Sequence, residues 1–395
     1  MTPNRAIWVW ALLPLVLLAL LIVAIIRLSP GEQLRPAGMP PVERLKISRA
    51  TLANDGIRLS VMNDGPDPVT IAQVTVDDAY WTFSSERGMT LGHLGATTIL
   101  VPYPWVAGEA HLVKILTSTG TAFEHEIAVA VETPRLSAKH LWAFALIGLY
   151  VGVLPVALGL CWFPMLARLG KRGIDVLLAV TIGLLAFLLV DAVQEGLEGG
   201  AALAESYQGA ALFLGAAATA YLALEVTGQW LRTARARRKQ ENASAGAVLA
   251  LLIAIGIGLH NFGEGLAIGA AFALGEAALG TLLIIGFTLH NTTEGLAILS
   301  PIAKERPSIW LLVKLGLIGG VPTIAGAWLG GFVYSRVIAV LCLGLGAGAI
   351  AQVIHQLSRQ VTGSGVPSAR FATAPIMFGL LGGFAVMYAT GMLVG

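Results

Sequence analysis

Gly258-Leu-His-Asn-Phe-Gly-Glu-Gly-Leu-Ala-Ile-Gly269 and Phe287-Thr-Leu-His-Asn-Thr-Thr-Glu-Gly-Leu-Ala-Ile298 read almost alike. Both carry His-Asn-x-x-Glu-Gly-Leu-Ala-Ile inside apolar runs long enough to cross a bilayer. On a helix, His260 and Glu264 stand four residues apart and share a face. His290 and Glu294 repeat this on the next helix, and Asn261 and Asn291, one step round, supply amide oxygens. A charge in hydrocarbon costs roughly 2.5 kcal/mol or more. Two carboxylates and two imidazoles at similar depth are therefore expected to share a cation.

A single intramembrane histidine is often a helix–helix hydrogen bond. Four titratable groups in register on consecutive helices point instead to metal. Imidazole, carboxylate and amide together suit a borderline divalent ion such as Zn, Fe(II), Mn or Co. The two cysteines, Cys161 and Cys342, fall in apolar spans and form no Cys-x-x-Cys motif. The expected ligands are thus N and O. An open N/O site suits a carrier, which must release what it binds, better than a closed structural site.

Composition sets the class. The chain has 395 residues, 56% hydrophobic and 12% charged, with 47 glycines. Soluble domains are about 25% charged, so a helical polytopic membrane protein is expected, with glycine at packed helix faces. A net charge of +2 and no basic patch with interleaved aromatics exclude a nucleic-acid partner.

Taken in order, residues 1–28 read as an uncleaved membrane anchor whose apolar run covers 6–26. Residues 29–41 are a Pro/Gly-rich linker. Across 42–134 the hydrophobic period becomes two, as at Ile57, Leu59 and Val61, and at Phe123, Ile127, Val129 and Val131. Turn signals at 63–68, 86–88 and 118–120 divide short strands, so a small all-β, immunoglobulin-like sandwich is expected. Residues 110–117 and 121–132 read as one hairpin. The sandwich histidines His93, His111 and His125 read as core, rim or edge residues rather than a metal-capturing set.

From 139 to 395 eight spans are expected, near residues 141–160, 176–196, 208–228, 247–272, 279–299, 310–332, 337–357 and 374–392. Basic loops at 168–172, 232–239, 304–306 and 359–370 alternate with nearly uncharged ones near Gly200, Gly275 and Tyr334. Positive-inside then places the N-terminus and the basic loops in the cytoplasm, with the sandwich and C-terminus outside a cell membrane.

Asp191 and Glu195 fall on one face of the second of these eight spans, with Glu198, and read as a pathway wall. Gln352 and His355 in the seventh nearly share a face and could line a path. Glu225 reads as structural, with Arg232 as its candidate partner.

The paired motifs resemble those of the ZIP (Zrt/Irt-like) divalent-metal transporters, over about residues 139–395. The resemblance implies an eight-helix unit of 3+2+3 helices, usually dimeric, moving metal as one block slides against another. It implies that His260, Glu264, His290 and Glu294 form one metal position, and that Asn261, Asn291 and the two glutamates form a neighbour. Zn2+, or Fe2+, Mn2+ or Co2+, would be cargo moving toward the cytoplasm, with no organic cofactor and no enzymatic turnover. Gly263 and Thr293 replace the family's motif prolines, and Gly319-Gly-Val-Pro-Thr323 carries no carboxylate where relatives often place one. The alternatives from the same residues are an intramembrane metalloenzyme and a haem protein with His260 and His290 as axial ligands.

Overall fold

The computed structural model describes residues 5–28, 40–238, 245–362, 371 and 373–392. Most of the 29–41 linker, the end of the 232–239 basic run and residues 363–370 lie outside these. Residues 1–43 and 44–395 form separate compact units. In the first, helix α1 (Arg5–Leu28) includes Pro14, and its side chains from Leu13 to Ala24 are exposed.

The second unit begins with nine strands: β1 (Leu45–Ala53), β2 (Gly56–Asn63), β3 (Val69–Val76), β4 (Ala79–Trp81), β5 (Ser84–Ser85), β6 (Thr90–Leu91), β7 (Ala96–Val101), β8 (His111–Thr117) and β9 (Ala122–Ile127). They form a β1-β2-β7-β5 sheet and a β4-β3-β8-β9 sheet, with β6 beside β3. Ile57, Leu59 and Val61 from one sheet and Val74, Val113 and Ile115 from the other fill a common core. Their alternation is what buries one face of each strand.

The expected second strand of the last hairpin is shorter than its pattern. β9 ends at Ile127, and Val129 and Val131 are exposed. The chain leaves the ladder because Ala130 turns to pair with the 108–109 backbone instead. The β3–β4 turn places Asp77 and Asp78 at φ 53° and 62°, the left-handed pair of a tight hairpin turn. Asp77 secures it by accepting from Leu112 N–H, Tyr103 O–H and the His111 ring. Burial alone would raise this carboxyl, but those bonds outweigh it and hold it below its usual range. His93 bonds Gly65 O, apart from the His111–Asp77 pair.

Among the described residues, seven helices are long and apolar enough to cross a membrane. They are α2 (Ala138–Leu166), α3 (Lys171–Ala201), α4 (Gly209–Arg238), α5 (Ala245–Ala273), α6 (Ala277–Leu299), α7 (Ile309–Val333) and α8 (Arg336–Thr362). A shorter apolar helix, α9 (Ala374–Met392), follows. Two helices are broken: α2 by a π-helical turn at Leu149–Val153, and α7 between Gly320 and Pro322. Pro322 has no N–H for a helical bond, which accounts for the second break.

The helices pack in two groups. α5 lies along α7, α2 touches α6 and α7, and α5 touches α6. Separately, α3 packs on α9 and α8, and α4 packs on α8. The broadest contact between the groups is α5 on α8. Glycine makes the closest approaches. A Cβ at Gly265 would strike Thr323 O, and one at Gly326 would strike Phe262 O, so α5 and α7 meet backbone to backbone.

The loops sort to two ends. The sandwich meets the α3–α4 turn, where Asp64 accepts from Glu205 N–H (2.6 Å), Ser206 N–H (3.2 Å) and Ser206 O–H (2.8 Å), and Arg44 pairs with Glu205. It also meets the α5–α6 turn, where Val129 O abuts Gly275. At the other end Lys304 bonds Ala167 O, and Gly246 lies against Glu305, which draws the basic loops together.

Candidate metal centre

His260 and His290 each lie thirteen residues from the sandwich-side end of their helix, at Ala273 and Ala277. At 1.5 Å per residue that is about 20 Å, past the middle of a hydrocarbon core of about 30 Å. The i, i+4 spacing does what helical geometry requires, and adjacency of α5 and α6 brings both faces together. His290 Nε2 lies 2.5 Å from Glu264 Oε1, and His260 Nε2 lies 3.1 Å from the same oxygen. Ligand atoms of His260, His290 and Glu294 lie within 4.8 Å of one another. The imidazole centroids are 6.4 Å apart.

The two asparagines have a second task that their spacing did not announce. Asn261 Nδ2 donates to Gly319 O (3.1 Å) at the break in α7. Asn291 Nδ2 donates to Val151 O (3.0 Å) in the π turn of α2, and to Glu264 Oε2 (2.9 Å). Each break thus offers a backbone carbonyl to one motif asparagine. A carbonyl can only accept, so this pairing orients each amide with its oxygen free.

What remains is a group of buried atoms without partners. Asn261 Oδ1, Asn291 Oδ1 and both Glu294 carboxylate oxygens make no hydrogen bond among the described residues, and His260 Nε2 has only its 3.1 Å contact with Glu264. The amide and carboxylate oxygens are acceptors only. Buried acceptors normally find donors, and leaving one unsatisfied costs about 1–3 kcal/mol. An unpartnered Glu294 carboxylate whose ligand atom lies within 4.8 Å of two imidazoles is the coordination chemistry of a divalent cation.

A cavity of about 30 Å³ touches this cluster. Its walls include Asp191, Glu195, His260, Glu264, His290 and Cys342. Asp191 and Glu195 are exposed, and they stand about 15 and 9 Å from the sandwich-side end of α3. A Cβ at Gly263 would meet nothing within 4 Å, so the motif glycine faces open space.

Gln352 and His355 do not join this cavity. Gln352 is buried and donates to Glu225 Oε2 (3.2 Å), whereas His355 is exposed and contacts the Tyr221 hydroxyl. Both therefore face α4, one turn apart, with Gln352 on the buried side and His355 at the exposed edge. Glu225 has Gln352, Gln229 and, at 3.8 Å, Arg359 as partners, while Arg232 Nε donates to Gly228 O.

Cys342 was missed by reading thiols only as Cys-x-x-Cys pairs. A lone cysteine on a distant helix has no local signature, and only the α5–α8 contact brings it to the cavity. The carbonyls of Val151 and Gly319 were likewise invisible, although Gly319-Gly320-Val321-Pro322 marks a helix break. The fold and site define a helical protein suited to a membrane, with a buried His/Asn/Glu cluster. No family model matches this chain, and no curated protein matches it.

Proposed function

We propose that this protein is a membrane carrier for divalent transition-metal ions, zinc foremost. The observation that carries the reading is the convergence of two imidazoles and the unpartnered Glu294 carboxylate, with Glu264 touching both rings. The residues fit the cargo: His260, His290, Glu264 and Glu294 supply nitrogen and oxygen, and Asn261 and Asn291 add oriented amide oxygens. Neutral imidazoles and ionised carboxylates bind metal, so protons compete with it and uptake falls as pH drops.

Asp191 and Glu195 would attract the ion on the sandwich side and pass it to the cluster. The sandwich lies outside the cell in this reading, and the gathered basic loops lie inside. Metal would then move inward as the α2, α5, α6, α7 group shifts against the α3, α4, α8, α9 group. This grouping supports the ZIP resemblance, its 3+2+3 arrangement and its sliding-block transport; the homodimer follows only from the resemblance. The β1-β2-β7-β5 and β3-β8-β9 orders match the ABED and CFG sheets of an immunoglobulin domain, which supports that reading of the sandwich. A cavity of about 30 Å³ gives no support to a haem between the histidines.

The test is zinc flux into proteoliposomes holding a zinc-sensitive dye. Wild-type protein should accumulate zinc, and Glu264→Ala and Glu294→Ala should not, with melting temperatures near wild type. Wild-type flux in either variant would remove that residue from the pathway.

A further inference from the structure

We propose that the junction between the β-sandwich and the helices is a binding site for a phosphate-class oxyanion. A cavity of about 420 Å³ lies there. Lys46, Arg49 and Arg87 line it from the sandwich, and Arg336, the first residue of α8, lines it from the helices. The only carboxylate on its walls is that of Glu86. None of the four cations makes an ion pair among the described residues.

Arg49 makes the case sharper. Its Nε is buried and has no hydrogen-bond partner. Burial also pulls its guanidinium below the usual arginine range. Among the described residues, Arg336 hydrogen-bonds only Ala202 O, at 3.5 Å. Like charges facing each other across an interface are costly, and a buried unpaired donor adds to that cost. The same interface pairs its charges elsewhere, as Arg44 does with Glu205. An oxyanion between the two sides relieves both problems.

The chemistry narrows the ligand. Guanidinium forks match phosphate oxygens in pairs, and lysine adds a point charge. The volume falls in the range of small-ligand pockets, so a phosphate bearing an organic group fits. Ala202 and Arg336 mark the ends of membrane-length helices, which is headgroup depth. The phosphate could belong to an anionic phospholipid or to a soluble compound. The site is independent of the metal centre.

Full-length protein in neutral detergent decides it. Native mass spectrometry would compare phosphatidylglycerol with phosphatidylcholine. Thermal melting would compare inorganic phosphate with chloride at equal ionic strength. Preferential retention of phosphatidylglycerol assigns a lipid source, and stabilisation by phosphate assigns a soluble one. Arg49→Gln and Arg336→Gln should weaken the effect at least tenfold, and Lys114→Gln, on the sandwich but off the pocket, should leave it unchanged. Lys46→Gln, a half-exposed position, repeats the test if the arginine variants misfold. No preference for either anion in wild type, or equal binding by the pocket variants, would overturn the proposal.

Discussion

Asn291 ties the π turn of α2 to the Glu264 carboxylate through one amide nitrogen, and its buried amide oxygen has no hydrogen-bond partner among the described residues. Asn261 bonds the break in α7 through Gly319 O and likewise leaves its amide oxygen unpartnered among the described residues. Positioning groups around a metal typically contribute 10–100-fold in affinity. Asn291→Ala should therefore weaken zinc binding by about that factor in calorimetry; unchanged affinity would show that the amide positions nothing. Cys342 gives a second prediction. In a Cys161→Ser background, a small thiol reagent should block zinc flux, and bound zinc should slow the labelling. Labelling that leaves flux intact would remove Cys342 from the pathway wall. The histidines and glutamates were legible because a four-residue spacing on a helix has one geometric meaning. Their backbone partners were not, since a carbonyl carries no sequence signature.

The existence and order of the helices were legible because apolar runs of about 20 residues have few other uses, although the span expected at 208–228 runs on to Arg238. Their ends ran longer, as α3 (Lys171–Ala201) shows, because helices continue past the apolar window until a turn residue stops them. β9 ran shorter than its alternation, because tertiary pairing at Ala130 displaced the ladder. The α5–α7 seam yields a paired prediction. Gly265→Ala drives a methyl into Thr323 O and should cost about 1–3 kcal/mol. Gly263→Ala, two residues away, meets open space and gains up to about 1 kcal/mol of helix propensity. Melting temperatures should fall for the first and hold or rise for the second. Equal effects would mean that the backbone contact does not limit packing there.

For the whole molecule, alternating loop charge correctly grouped the turns near Gly200 and Gly275 beside the sandwich. That the sandwich is clamped through Asp64 was beyond reach, since the contact joins residues about 140 apart in sequence. Burial works to raise the Asp64 carboxyl, but Ser206, the two backbone N–H groups and Arg44 hold it below the usual carboxylate range. A depressed carboxyl stabilises fully above its unfolded pKa and loses that contribution as pH falls through the folded value. Asp77 behaves the same way. Docking of the sandwich should thus loosen as pH falls below about 4, read as faster hydrogen exchange at Glu205 and Ser206. Asp64→Ala should show that exchange already at neutral pH, and protection equal to wild type would discount the clamp.

The central claim is that α5 and α6 hold one divalent ion between their paired His/Glu faces. X-ray absorption of the zinc-loaded protein measures this most directly. The account predicts a shell of nitrogen and oxygen at about 2.0–2.2 Å, with imidazole scattering that diminishes in His260→Ala and His290→Ala. A sulfur shell, or a zinc spectrum unchanged in both variants, would contradict it.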